Sequence, residues 1–179
     1  MEVTPQVFTT DYIGEPGERT FYVQTQAEEQ TYSYLIEKQQ VSALADRLRD
    51  LLMMIDEQDT IRSASPARDP ALKLDHPVEP EWRIGTMGLA YDEAGDSVVV
   101  VMQPVEAGEE LDETDDSTVF ETESERTVRF RLRRDQARAF ILHALAVVQE
   151  GRPTCQLCGL PMNPSGHVCP ASNGHHVTA

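Results

Sequence analysis

Hydrophobic residues follow the same succession of spacings in two stretches of the chain, residues 31–52 and 127–148. In each stretch hydrophobic and polar residues first alternate, as in a strand with one buried face. They then recur at the three- and four-residue spacings of an amphipathic helix. Each stretch therefore predicts a strand that runs almost directly into a helix. An offset of 96 residues (31 to 127) relates the two and places Gln40 on Gln136.

Two further strands are predicted before each strand-helix unit, on either side of a turn-forming segment. They cover residues 7–13 and 19–25 in the first half, and 82–91 and 97–104 in the second. We expect an α+β fold of duplicated βββα units, with repeats over about 7–57 and 82–150. Six strands would form one antiparallel-rich sheet, and each helix would cover the strands of its own half. Chance similarity is the alternative, because amphipathic helices resemble one another.

Two segments interrupt this pattern. Residues 59–81 hold four prolines among small and charged residues, which excludes a long helix or a central strand and predicts a loop between the halves. Residues 106–125 carry ten carboxylates and no basic side chain. Like charges at this density resist packing, so we expect a mobile acidic loop. A docking site for a basic partner is the alternative.

Charge restricts the function further. The chain of 179 residues has a net charge of −16, with −21 in residues 1–125 and +5 in residues 126–179. This balance argues against nucleic-acid binding by the whole surface. No apolar run approaches the length of a membrane span, and the first residues carry no secretory signal, so we expect a cytoplasmic protein without a membrane anchor.

The three cysteines all lie in the last 25 residues, in the pattern C-x2-C-G-x7-H-x-C. Zinc prefers four sulfur or imidazole ligands in a tetrahedron, so Cys155, Cys158 and Cys169 predict a zinc site in a C-terminal ribbon over residues 151–179. The alternatives are three unrelated free thiols or a redox C-x2-C pair. A redox pair normally opens a helix, which the prolines around these cysteines disfavour.

The fourth ligand has more than one candidate. His167 stands two residues before Cys169, so a short turn would bring both to one metal. His175, and less so His176, follow a predicted turn and could fold back instead. Three cysteinates and one histidine leave no position for water, which indicates a structural Zn²⁺ rather than a catalytic one. Glu150 is the nearby carboxylate that a catalytic site would use as its base.

Other candidate chemistry is weaker. Arg129, Arg131 and Arg133 project from one face of a predicted strand, and guanidinium groups can bind phosphate in bidentate fashion. Neutralisation of the preceding acidic segment is the preferred interpretation, with a protein-docking surface a further alternative. His143 aligns with Arg47 on the polar side of its helix, so we expect it to be partly exposed.

Several motifs together resemble a known family over nearly the whole chain. They are Gly14-x2-Gly17-Glu18-Arg19-Thr20-Phe21-Tyr22, Glu37-Lys38-x-Gln40, Arg83-Ile84-Gly85 and the C-terminal cysteine motif. They resemble a family of uncharacterised bacterial proteins catalogued as a domain of unknown function. The resemblance implies no catalytic residues. It favours His167 over His175, because the family does not always have histidine at the latter position. The acidic block is longer than the family pattern implies.

These observations predict a domain over residues 1–150 and a zinc-binding tail over residues 151–179. We expect a non-enzymatic cytoplasmic interaction protein with a structural zinc site and a protein partner. One alternative is a nucleic-acid-associated zinc-ribbon protein that binds through residues 126–179. Another is an enzyme or binder of a phosphorylated ligand that uses the face of Arg129, Arg131 and Arg133.

Overall fold

The computed structural model describes residues 1–105, 126–150, 155–158, 167–172 and 176–177. Within these ranges the larger sheet has seven strands and is accompanied by two α-helices. The strands are β1 (Glu2–Val3), β2 (Val7–Ile13), β3 (Thr20–Ala27), β4 (Gln30–Ile36), β5 (Pro80–Asp92), β6 (Ser97–Pro104), β7 (Val128–Arg133), β8 (His167–Val168) and β9 (His176–Val177). The helices are α1 (Lys38–Ile55) and α2 (Arg134–Gln149). The acidic block at 106–125 lies outside the described residues.

The seven strands follow the order β1-β7-β6-β5-β4-β3-β2. Neighbours within each half are antiparallel, whereas β4 and β5 are parallel, as are β1 and β7. The α+β class and the six predicted strands are confirmed. Strand β1 was not predicted, because two residues carry no periodicity and its only strand partner in the described chain is β7.

The sheet is strongly curled. Phe8 in β2 and Phe130 in β7 have ring centroids 5.4 Å apart, although four strands lie between their strands in the sheet order. Residues 4–6 connect β1 at one edge with β2 at the other. The curl therefore brings the two edges of the sheet together around one hydrophobic core, to which both helices contribute.

The expectation that each helix covers the strands of its own half is wrong. Phe140 of α2 packs against Phe8 of β2, with ring centroids 4.9 Å apart. The Gln136 side chain donates to the carbonyls of Pro5 and Gln6 at 2.8 and 3.0 Å. Helix α2 lies mainly against β2 and makes fewer contacts with β6 and β7 of its own half. The curl of the sheet places β2 against it instead.

The two helices begin in the same way. The Gln40 side chain accepts from the backbone N–H of Glu37 at 3.0 Å, and the Gln136 side chain accepts from that of Arg133 at 3.1 Å. Each bond satisfies a donor at the start of a helix. The Gln40 amide also donates to the Gly85 carbonyl at 3.0 Å in the other half of the chain.

The proline-rich segment 59–81 is a loop over most of its length, as predicted, with two short 3₁₀ turns before β5 begins. It is bound to β2 and β3 by polar side chains that face away from the core. The Thr9 hydroxyl donates to the Leu72 carbonyl, and the Gln24 amide both accepts from the Asp75 N–H at 2.7 Å and donates to the Asp75 carbonyl at 2.9 Å. Thr9 and Gln24 are buried as a result.

Among the described residues, neither helix is both long and apolar enough to cross a membrane.

Candidate metal centre

The predicted cysteine cluster is present. The Sγ atoms of Cys155, Cys158 and Cys169 all lie within 4.8 Å of one another. The Sγ atoms of Cys155 and Cys169 are 3.8 Å apart. Both of these side chains are buried, and Cys158 is half-buried. The sulfurs therefore form a compact group that is largely shielded from solvent.

Two short pieces of backbone bring the sulfurs together. Cys155 and Cys158 lie at either end of a tight turn, and Cys169 directly follows β8. Strand β8 pairs antiparallel with β9, where His167 lies opposite Val177. Pro170 then begins a 3₁₀ turn, which ends the extended conformation after the third cysteine. The turn and the β8 hairpin thus each present their cysteines to one point, although Cys155 and Cys169 are 14 positions apart.

The sulfur positions are compatible with metal binding. A disulfide requires an S–S distance of about 2.05 Å, so no described pair of these cysteines is bonded. In a tetrahedral site with Zn–S bonds of about 2.3 Å, two sulfurs stand about 3.8 Å apart. The distance between Cys155 and Cys169 has this value. The three cysteines could hold one metal ion without rearrangement of that pair.

The fourth ligand stays a prediction. The structure describes the backbone of His167 in β8 but not its side chain, and His175 lies outside the described residues.

Comparison with protein families assigns the chain. The family model described as protein of unknown function DUF3090 matches residues 3–169. The chain belongs to the DUF3090 family. The matched region of DUF3090 includes all three cysteines and His167, and it ends before His175. The resemblance noted in the sequence is thereby confirmed. Neither the curated proteins nor the solved structures contain a match.

Glu150, the candidate base beside the cysteine motif, is held by one guanidinium and one hydroxyl group of the DUF3090 domain. The Arg68 guanidinium donates to both of its carboxylate oxygens at 2.7 Å, and the Tyr12 hydroxyl donates to one of them at 2.8 Å. The hydrogen bonds from Arg68 lower the pKa of Glu150 to about 2. A carboxylate with so low a pKa is a poor general base near neutral pH.

The three arginines proposed to bind an anion lie on β7, at alternate positions as expected. Arg131 donates to Glu2 at 2.9 Å and to Ser97 at 3.0 Å, and it also pairs with Asp92. Arg133 pairs with Asp135 at 3.0 Å. The carboxylates found beside Arg131 and Arg133 lie outside the acidic block. Anion binding by Arg129, Arg131 and Arg133 stays a prediction.

His143 contradicts the expectation of partial exposure. Its side chain is 0% exposed, because segment 59–81 passes over this side of α2. The backbone N–H of Asp69 donates to Nδ1 at 3.0 Å, and Nε2 has no hydrogen-bond partner in the part of the chain that is described. Burial lowers the pKa of His143. No local sequence signal marks this histidine, since the residues that bury it lie about seventy positions away.

Proposed function

We propose that Cys155, Cys158 and Cys169, together with His167, hold one structural zinc ion. The observation that carries the proposal is the convergence of three sulfurs, with one pair at the separation of a tetrahedral zinc-thiolate site. Thiolates are soft ligands that suit zinc, and zinc commonly completes its shell with imidazole. His167 is favoured over His175 because it lies two residues from Cys169 and within the matched family region.

A structural role is favoured over a catalytic one. Four protein ligands leave no open position for a reacting water, and three thiolates make the ion a weak Lewis acid. The carboxylate nearest in sequence, Glu150, is committed to Arg68 and Tyr12. When bound, zinc would supply a crosslink between the turn at residues 155–158 and the hairpin that contains Cys169. Binding free energy at such a site is also folding free energy.

We further propose that the protein is a cytoplasmic interaction protein without enzymatic activity. Two apolar side chains support a protein partner. Leu157, inside the C-x2-C turn, and Val168, directly before Cys169, are 61% and 64% exposed. Apolar side chains displayed on a rigid, crosslinked element favour protein docking. Cysteines kept as thiolate ligands favour a reducing compartment. The net charge of −16 disfavours nucleic acid.

We also infer that the body arose by duplication of a βββα unit. Gln40 and Gln136 are equivalent at the offset of 96 residues, and each accepts a bond at the start of its own helix. The amide of each also reaches two successive carbonyls of the other half, at Ile84 and Gly85 for Gln40. This pair of matched contacts favours duplication over chance similarity between two amphipathic helices.

Metal analysis of the purified full-length chain tests the zinc proposal. We expect about one zinc per chain, and much less after Cys158→Ser. The histidine variants discriminate the fourth ligand: His167→Ala should lose zinc, whereas His175→Ala and His176→Ala serve as matched controls that retain it. In protein loaded with Co²⁺, the intensity of the sulfur-to-cobalt absorption should indicate three thiolates.

Two outcomes would contradict the zinc proposal. The first is a metal-free native protein whose three thiols are all alkylated rapidly. The second is a zinc content unchanged by Cys158→Ser. If instead a water molecule completes the shell in place of His167, the ion is not structural and the enzymatic alternative becomes the better one.

A further inference from the structure

The three cysteines of the proposed zinc site differ in their access to solvent. Cys155 and Cys169 are 2% and 0% exposed, whereas Cys158 is half-buried. The two residues inside the C-x2-C turn, Gln156 and Leu157, are exposed. A dissolved oxidant must touch the sulfur that it oxidises, so it reaches Cys158 more readily than the other two.

Cys158 also has neighbours with which it can form a disulfide. Its Sγ lies within 4.8 Å of the Sγ atoms of both Cys155 and Cys169. A disulfide bond is about 2.05 Å long, so a shift of about 3 Å or less brings a second sulfur into bonding distance. Redox-sensitive cysteines combine an accessible sulfur with a second cysteine that resolves the oxidised form. The cluster provides both.

Proximity and access favour different disulfides in this cluster. The Sγ atoms of Cys155 and Cys169 are 3.8 Å apart, but both side chains are buried. The first step of oxidation requires contact between one sulfur and the oxidant, so access decides where the reaction begins. Cys158 is therefore expected to belong to the disulfide, although the other two cysteines form a close pair.

We propose that Cys158 is the residue at which hydrogen peroxide oxidises and opens the zinc site, an inference that rests on the proposed function. The Cys158 thiolate attacks one peroxide oxygen and the O–O bond breaks, which leaves a sulfenic acid and a hydroxide ion. The thiolate of Cys155 or Cys169 then attacks the sulfenic acid sulfur and displaces a second hydroxide. The two sulfurs together lose two electrons, which reduce one peroxide molecule to two hydroxide ions.

The disulfide removes two ligands from the metal. One cysteine and His167 would be left, and two protein ligands are too few for a structural zinc site. Loss of the ion also removes the crosslink between the turn and the β8 hairpin, because binding free energy at the site is folding free energy. Leu157 and Val168 lie on these two pieces. Oxidation would thus dismantle the element proposed to dock a protein partner, and thiol–disulfide exchange would restore it.

Zinc release and disulfide mapping test this inference on the full-length, zinc-loaded protein. The protein is treated with hydrogen peroxide, released zinc is followed with a chromogenic chelator, and disulfides are mapped by mass spectrometry of unreduced peptides. We expect loss of most of the zinc and a disulfide that contains Cys158. Dithiothreitol and added zinc should restore the original zinc content.

Cys158→His is the matched variant, because imidazole can replace the sulfur as a zinc ligand but cannot form a disulfide. Its zinc should be released much more slowly by peroxide than that of the wild type. If this variant binds no zinc, the disulfide map of the wild type decides. Met54, which is 80% exposed, serves as an internal measure of peroxide exposure, since its oxidation is read from the same peptides.

Three results would overturn the inference and leave the zinc proposal intact. The first is retention of zinc by wild-type protein in which Met54 has been oxidised. The second is a disulfide between Cys155 and Cys169 with Cys158 still reduced. The third is release of zinc from Cys158→His as fast as from the wild type. A chain purified without zinc would instead overturn the proposed function, and this inference with it.

Discussion

Protonation of His143 is the most specific way to perturb the stability of this fold. Its buried imidazole accepts a hydrogen bond from the Asp69 N–H at Nδ1, so the folded protein requires the neutral form of the ring. Protonation at Nδ1 would break this bond and place a charge in the interior beside the Arg68 guanidinium. Asp11 and Asp69 also face the ring and partly offset this cost, but burial is the larger effect and lowers the pKa of His143.

The direction of the pH effect follows from that pKa. Above the unfolded-state pKa of about 6.5, the ring is neutral in both the folded and the unfolded state. In that range His143 adds no pH dependence to the free energy of unfolding. Below it, the unfolded chain takes up a proton while the folded chain does not. The free energy of unfolding then falls with falling pH, by up to about 1.4 kcal/mol per pH unit, until the folded-state pKa is reached. The contribution is thus present at neutral pH and lost under mildly acidic conditions.

Urea unfolding of the wild type and of His143→Asn, measured between mildly alkaline and mildly acidic pH, tests this reasoning. Asparagine can keep an acceptor near the position of Nδ1 but does not titrate. We expect the variant to be less stable at neutral pH, because a smaller side chain leaves a cavity. Its stability should fall less steeply than that of the wild type just below pH 6.5. Equal slopes for the two proteins would refute the assignment of a neutral buried His143.

Two further predictions concern polar side chains that join distant segments. Arg138→Ala should lower the free energy of unfolding by about 3 kcal/mol in urea, because it strands the Asp59 carboxylate, which is 0% exposed and bound at 2.6 and 2.7 Å. Arg49, which pairs with Asp46 at an exposed site, gives the comparison. Arg49→Ala should lower the free energy of unfolding by less than about 1 kcal/mol. A similar loss in both variants would contradict the argument. Gln40→Ala and Gln136→Ala should each cost about 1 kcal/mol, and a large effect of only one would oppose their equivalence.

The pattern of hydrophobic and polar residues predicted those parts of the fold that depend on residues close together in sequence. Alternation and helical spacing gave the strands and helices of both halves, because a half-buried element must place its apolar residues on one face. They could not give the pairing of β4 with β5 or of β1 with β7, which joins residues far apart in sequence. The predicted packing of each helix on the strands of its own half was also wrong. It depends on the curl of the sheet, which is a property of all seven strands together.

The candidate sites also divide into features set by residues close in sequence and features set by residues far apart. The cysteine cluster could be predicted because its members are close in sequence and one chemistry suits their spacing. The burial of His143 could not, because alignment with Arg47 describes a helix face and not the segment that later covers it.

Segment 59–81 explains why Thr9 and Gln24 are buried although they face away from the core. Ile61 anchors the start of the segment in the hydrophobic core, and the positions of its later residues depend largely on hydrogen bonds and ion pairs. Gln24 holds its backbone at Asp75, and Arg68 joins β2 to Glu150 at the end of α2. Glu150 is the last residue described before the cysteine motif. The Arg68 contacts that help to hold the linker therefore also hold Glu150, the last described residue before the segment that carries the three cysteines.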